Sequence, residues 1–203
     1  MDIQVIIFDL GGVVFKNGTR KMREFLKTTY SVKDELLKVI FYGEEAGLLR
    51  AGKSAPFDFW SFVDFIAIKE KWGIGKSEIR DIWYNFFTPT EGMFELLWAL
   101  HKNYEIGIIS GNFQERILFL EDKYHFKKYF NWEVYSFNVG ANKPDIKIYK
   151  EAFNKTKASP QNCLYIDDKD IFIEPAKILG MKTILFENCT KLLEDLRQLE
   201  IID

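Results

Sequence analysis

Apolar runs at residues 3–8, 106–109, 133–137, 163–166 and 183–186 are short and nearly continuous. They are rich in Ile, Val, Leu, Phe and Tyr, and several stop at Gly, Asp or Ser, which is the pattern of strands buried on both faces. Between them the apolar positions shift to helical spacing. Pro89-Thr90-Glu91 opens one such stretch, with Phe94, Leu97 and Leu100 on a stripe. Others are predicted at 114–124, at 145–156 after Pro144, and at 175–179, where Gly180 stands as a C-terminal stop. Strand alternating with helix predicts an α/β fold, a parallel sheet covered by helices on both sides.

Residues 15–88 break the alternation. No convincing strand occurs there, and 20–29, 33–42, 57–71 and 77–86 all read as helices, punctuated by Gly43, Gly47, Gly52 and Gly73. The expected organisation is therefore an α/β core made of residues 1–14 and 89–203, with a helical insert at 15–88. A length of 203 residues suits one domain plus an insert. No internal repeat or low-complexity segment interrupts it.

Composition narrows the setting. Lysine plus arginine number 28 against 30 aspartate plus glutamate, which speaks against a bulk electrostatic grip on nucleic acid. Two cysteines make no disulfide framework, and the reducing cytoplasm is the simpler home. His101 and His125 match no zinc spacing. The first apolar run is too short for a signal peptide or membrane span. The expectation is a soluble, cytoplasmic protein with no nucleic-acid or membrane partner and an oligomeric state left open. The 16% of aromatic residues read as core, with one or two of Phe57, Phe59, Trp60, Phe62, Phe65 and Trp72 facing a substrate.

Sites in open parallel sheets form at the carboxyl ends of the strands. Asp9 follows the first run, with Leu10-Gly11-Gly12 behind it. Ser110-Gly111-Asn112 follows the second, Asp167-Asp168 the fourth, and Asn142-Lys143-Pro144-Asp145 lies between the third and fourth. Two or three carboxylates on one edge repel one another unless a cation sits among them, and such hard oxygen ligands suit Mg²⁺. A hydroxyl, backbone amides and one lysine would hold an anion beside the metal.

Phe8-Asp9-Leu10-Gly11-Gly12-Val13-Val14, Ile109-Ser110-Gly111-Asn112, Asn142-Lys143-Pro144-Asp145 and Tyr165-Ile166-Asp167-Asp168 stand in the order of the four motifs of the haloacid dehalogenase (HAD) superfamily. The chain resembles that superfamily over nearly its whole length, and most resembles its small phosphatases of the glucose-1-phosphate phosphatase type. The resemblance implies a HAD-like Rossmannoid core with a helical cap at the insert, and a Mg²⁺-dependent phosphatase working on a small phosphomonoester such as a sugar phosphate. It makes Asp9 the nucleophile and a metal ligand, and gives the metal the Gly11 carbonyl. Ser110, Gly111 and Asn112 would contact substrate phosphate, and Lys143 would neutralise nucleophile and phosphate. Asp168 would be a metal ligand, with Asp167 beside it as ligand or orienter.

Three departures accompany the resemblance. Gly11 stands where the family usually has a second aspartate that protonates the leaving group. Gly111 separates Ser110 from Asn112 in the second motif. Phe172 occupies a position that often carries Asp or Asn, and Asp170 reads as surface. A non-catalytic or weakly active relative with a binding or regulatory role is therefore the alternative, and a metal-free 2-haloacid dehalogenase a second. Gly47-Leu48-Leu49-Arg50-Ala51-Gly52-Lys53-Ser54 also fits the P-loop expression. No strand precedes it, and Pro56 puts the helix start after the serine, so it reads as a loop between two helices with Ser54 as N-cap.

Overall fold

The computed structural model describes residues 2–203. Five parallel strands, β1 (Val5–Phe8), β2 (Glu105–Ser110), β3 (Trp132–Tyr135), β4 (Cys163–Asp167) and β5 (Lys182–Leu185), form one sheet in the order β3-β2-β1-β4-β5. β1 is central because all four of its residues are apolar and all are buried. Alternate side chains go to opposite faces. Ile6, Phe8, Ile106, Ile108, Leu164 and Ile166 join one cluster, and Val5, Ile7, Ile109, Cys163 and Tyr165 join the other. Gly107 interrupts β2 for a packing reason. A Cβ there would stand 2.2 Å from the Trp132 ring, which lies across the neighbouring strand.

Between β1 and β2 come six helices: α1 (Gly18–Tyr30), α2 (Asp34–Tyr42), α3 (Glu44–Arg50), α4 (Pro56–Lys69), α5 (Lys76–Asn85) and α6 (Met93–Leu100). Later follow α7 (Gln114–Tyr124), α8 (Ser136–Val139), α9 (Ile146–Phe153), α10 (Asp170–Ile178) and α11 (Cys189–Gln198). The first five helices share one hydrophobic cluster with a face of the sheet. Met22, Phe41, Phe59 and Trp83 belong to the same buried group as Phe8 and Phe113. The chain enters and leaves this helical layer side by side. Lys16 N donates to Thr88 O at 2.8 Å, Thr90 Oγ1 to Val13 O at 2.6 Å, and Phe15 bridges Pro89 in antiparallel fashion.

Several local expectations are corrected. The third strand stops at Tyr135, and Ser136 and Phe137 already belong to α8. The segment expected as a loop between two helices contains α3, a helix of seven residues. Ser54 does not cap α4. Ala55 holds the N-cap position without a side-chain bond, and Pro56 takes the first helical position, where its missing N–H costs nothing. Gly47 lies inside α3 and follows α2 rather than a strand, so the P-loop expression is met by sequence alone. The helix expected to open at Pro175 begins at Asp170 and carries the proline inside it. The helix α11 was not anticipated, although Asn188 caps it by accepting from Lys191 N at 2.9 Å.

Candidate active site

Phe8 pairs with Ile108 on one side and Ile166 on the other. The register therefore delivers Asp9, Ser110 and Asp167 to one edge of the sheet. All three are buried. Lys143, from the segment between α8 and α9, reaches the same edge, with its Nζ 2.5 Å from Asp9 Oδ1 and 2.6 Å from Asp167 Oδ2. It also donates to the Tyr165 hydroxyl at 3.1 Å. Burial alone would lower the lysine pKa, but Asp167 and Asp9 outweigh it and hold the ammonium above its ordinary value.

The two adjacent aspartates differ in what they leave free. Asp167 is fully buried and saturated. Its Oδ2 accepts from Lys143 and, at 2.5 Å, from Tyr165, and its Oδ1 accepts from the Lys169 amide at 3.0 Å. Burial holds the Tyr165 phenol well above its usual pKa, so it remains a donor. Asp168 keeps a buried Oδ1 with no hydrogen-bond partner. It packs against Gly12, whose φ is +115° and where a Cβ would lie 2.3 Å from the Asp168 carboxylate. Glycine is required there on both counts.

Asp9, Asp167 and Asp168 each place a carboxylate oxygen within 4.8 Å of the others. They are the one group of three or more candidate metal-ligating side chains among the described residues. Burial, opposed by Lys143 and reinforced by Asp167 and Asp168, pushes the Asp9 carboxyl up to about 7. Asp168 is raised as well, chiefly by burial. An orphaned carboxylate oxygen beside two mutually repelling neighbours is what a divalent cation with oxygen ligands relieves, so the residues fit one.

Above this edge lies a cavity of about 380 Å³, lined among others by Asp9, Gly11, Ser110, Gly111, Asn112 and Lys143. The predicted catalytic and binding residues thus converge, while Asp167 and Asp168 are not part of the cavity lining. Asn112 is fixed at both ends of its amide. Its Nδ2 donates to Ser110 Oγ at 2.8 Å, and its Oδ1 accepts from Arg116. Phe172, at the position often polar in the family, presents its ring to Lys143 Nζ at 4.8 Å. Asp170 is exposed, as expected.

None of the six aromatic residues expected to supply a substrate contact lines this cavity. Phe87 and Tyr42 do. Phe59 and Trp60 are core, and Phe57 and Phe65 are exposed. Arg50, Arg116 and Lys169 are further lining residues that the sequence reading passed over. Arg116 stands four residues after Asn112, a helical-turn spacing that was available as a signal. For Arg50 the signal was hidden inside the P-loop-like segment.

The family model for haloacid dehalogenase-like hydrolases matches residues 6–186. The chain belongs to that family. A HAD-type hydrolase with this parallel sheet is therefore established. Among relatives, an uncharacterised protein of Dictyostelium discoideum is 30% identical over 203 aligned positions, covering 94% of this chain and 80% of that one. The chloroplast flavin mononucleotide hydrolase 1 of Arabidopsis thaliana is 33% identical over 57% of this chain and 47% of its own length. A HAD-family enzyme of Bacteroides thetaiotaomicron, solved with magnesium and inorganic phosphate, superimposes with a TM-score of 0.70 at 21% identity. That match covers 94% of this chain and 98% of the enzyme. Among the described residues no helix is long and apolar enough to cross a membrane.

Proposed function

We propose that this hydrolase is a Mg²⁺-dependent phosphatase acting on a small phosphomonoester through an aspartyl phosphate on Asp9. The observation that carries the reading is the buried Asp9 carboxylate on the cavity floor, held at 2.5 Å by Lys143 and flanked by Asp168 with its free Oδ1. Asp9, Asp168 and the Gly11 carbonyl would hold the ion. Mg²⁺ bound there would supply positive charge to the phosphoryl oxygens. Asp167, with every oxygen engaged, acts as the orienter of Lys143 rather than as a ligand.

The chain's own residues account for the rest. Asp9 attacks phosphorus in line with the departing oxygen, and water then cleaves the acyl phosphate. Lys143 draws Asp9 toward its ionised form against the pull of burial and balances charge on the phosphoryl group. The Ser110 hydroxyl and the Gly111 amide bind its oxygens, and Asn112 sets the Ser110 rotamer through the 2.8 Å bond. Residues 15–88 serve as a cap that shields the site from bulk water. Already the Asn142 amide of the core reaches Gly47 O in that layer at 2.8 Å. The named activities and ligands of the Arabidopsis and Bacteroides proteins agree with phosphoester chemistry, and the motif resemblance favours sugar phosphates as the first class to test. The reading carries no nucleic-acid or membrane partner and a cytoplasmic location.

One observation favours a slow or non-catalytic relative. Gly11 has no side chain to protonate a leaving group, and general acid–base catalysis is worth about 10²–10⁴-fold. Phosphate release from sugar phosphates, nucleotides, an acyl phosphate and an aryl phosphate, with Mg²⁺ and with chelator, beside Asp9→Asn, tests the proposal. Mg²⁺-dependent release lost in Asp9→Asn is expected. Release no greater than from Asp9→Asn, in a folded protein that binds Mg²⁺, would overturn it in favour of the binding role.

A further inference from the structure

Two guanidinium groups face the cavity without a counter-ion. Arg50 comes from α3 in the helical layer and Arg116 from α7 beside the sheet, and both line the cavity that holds Asp9. Among the described residues neither forms an ion pair. Glu115, next to Arg116 in the chain, is engaged elsewhere. Its Oε2 accepts from Trp60 Nε1 at 3.0 Å and from the Tyr84 hydroxyl at 3.3 Å.

Arg116 is only 4% exposed, and its Nε and Nη1 have no hydrogen-bond partner. It cannot fold away from the cavity. It lies on the Phe87 ring at 4.2 Å and the Trp83 ring at 4.6 Å, and its remaining nitrogen is committed to Asn112. Arg50 is held as well, its Nη1 donating to Phe41 O at 3.1 Å. A buried charge without a partner is costly, and two of like sign beside one cavity are costlier. Burial pushes the Arg116 guanidinium down to about 9, with Arg50 adding to the fall and Tyr84 and Asp9 opposing it, and burial lowers Arg50 too. The other lining cations deepen the imbalance. Lys143 is already paired, Lys169 adds a fourth positive charge, and Asp9 is the lone carboxylate in the lining. A phosphoryl group seated on Asp9 answers Lys143 first, and Arg50, on the opposite layer, has no carboxylate of the lining left to meet it.

We propose that Arg50 and Arg116 form a subsite for a second oxyanion, so that the substrate is a small phosphomonoester whose leaving group itself bears a carboxylate or a phosphate. The inference rests on the phosphatase reading above and narrows it. A cavity of about 380 Å³ lies at the small end of ligand pockets, which suits a compact metabolite with two charged ends. Guanidinium forks match either oxyanion. Because the two arginines come from different layers, an anion between them would also tie the helical layer to the sheet.

The test uses three small alkyl phosphates with Mg²⁺: ethyl phosphate, 2-phosphoglycolate and ethylene glycol bisphosphate. The wild type is expected to favour one two-anion substrate over ethyl phosphate by about tenfold or more in kcat/KM, the scale of one charge-assisted contact. Which of the two wins separates carboxylate from phosphate. Arg50→Gln, on the half-buried side, and Arg116→Lys, which keeps a charge in the aromatic stack, should each shrink that preference to within about threefold, with folding checked by circular dichroism. Equal efficiency on all three substrates, or a preference that survives both substitutions, would overturn the subsite while leaving the phosphatase standing. The same ligands are titrated calorimetrically into Asp9→Asn. Should none of the three alkyl phosphates turn over, as the absence of an acid at Gly11 allows, this arm decides the subsite and the wider panel above decides the phosphatase. Tighter binding of a two-anion ligand, weakened in Asp9→Asn/Arg50→Gln, upholds the subsite, and equal or absent binding refutes it.

Discussion

A Cβ placed on Gly11 would stand 3.7 Å from the Asn112 amide nitrogen and 3.5 Å from the Phe87 ring, both ordinary contacts. Gly11 lacks the positive φ that would demand glycine. The seat of the missing proton donor is therefore roomy and unstrained. Gly11→Asp should fold and should raise turnover most for substrates with poor leaving groups, within the roughly 10²–10⁴-fold range of acid catalysis. The ratio of alkyl to aryl phosphate hydrolysis reads the effect. A uniform change across leaving groups would show that proton transfer does not limit this chain.

The two neighbouring aspartates should separate cleanly. Asp168→Asn removes the orphaned oxygen and should weaken Mg²⁺ binding by about 10–100-fold, with little change in melting temperature for the ion-free chain. Asp167→Asn removes the partner of Lys143 and Tyr165, and should lower the melting temperature first. Mg²⁺ titration by calorimetry beside thermal melts distinguishes them. The reverse pattern would make Asp167 the ligand.

Lys143→Met leaves Asp9 and Asp167 buried with no cation between them. Breaking a buried ion pair costs about 3–5 kcal/mol, and turnover should fall by about 10²–10³-fold or more, the scale of a lost electrostatic contact in an active site. Chemical denaturation in chelator measures the first and phosphate release the second. A variant as stable as the wild type would show that the carboxylates take up protons instead.

Much of this was legible because chemistry here follows directly on burial. Val5–Phe8 is apolar at every position, so it had to be a strand covered on both faces, and the next residue, Asp9, had to emerge at its end. Ser110 and Asp167 follow the same logic. Lys143 was readable through the resemblance of Asn142-Lys143-Pro144-Asp145 to the third family motif. Arg50 was not, because only the folded chain brings α3 over the cavity, whereas Arg116 stood one helical turn from Asn112. α3 was missed because Gly47 sits within it and seven residues show too little periodicity. α11 was missed despite a readable Asn188 cap and a Leu192–Leu196 stripe.

Proton linkage gives a prediction that needs no substrate. The folded pKa of Asp9, about 7, lies above its ordinary 3.8. Stability from this group is therefore whole below the unfolded value and is lost as pH rises through 7 in the ion-free chain. Mg²⁺ stabilises the ionised form, so the melting-temperature gain from saturating Mg²⁺ should be larger at about pH 8 than at about pH 5. An equal gain at both would show that Asp9 is ionised in the ion-free protein throughout that range.

The side-by-side entry and exit of the helical layer, joined from Lys16 N to Thr88 O, has a modular consequence. Everything between those residues is joined covalently to the rest of the chain at two adjacent points. A segment of different length could join at those points without shifting the strand register, provided it covers the same face around Phe8 and Phe113. Asp9, Ser110, Lys143 and Asp168 all lie outside the exchangeable span, whereas Tyr42 and Arg50 lie within it. The reaction chemistry is thus written outside that span, whereas the choice of molecule is shared across it, with Arg50 inside and Arg116 outside.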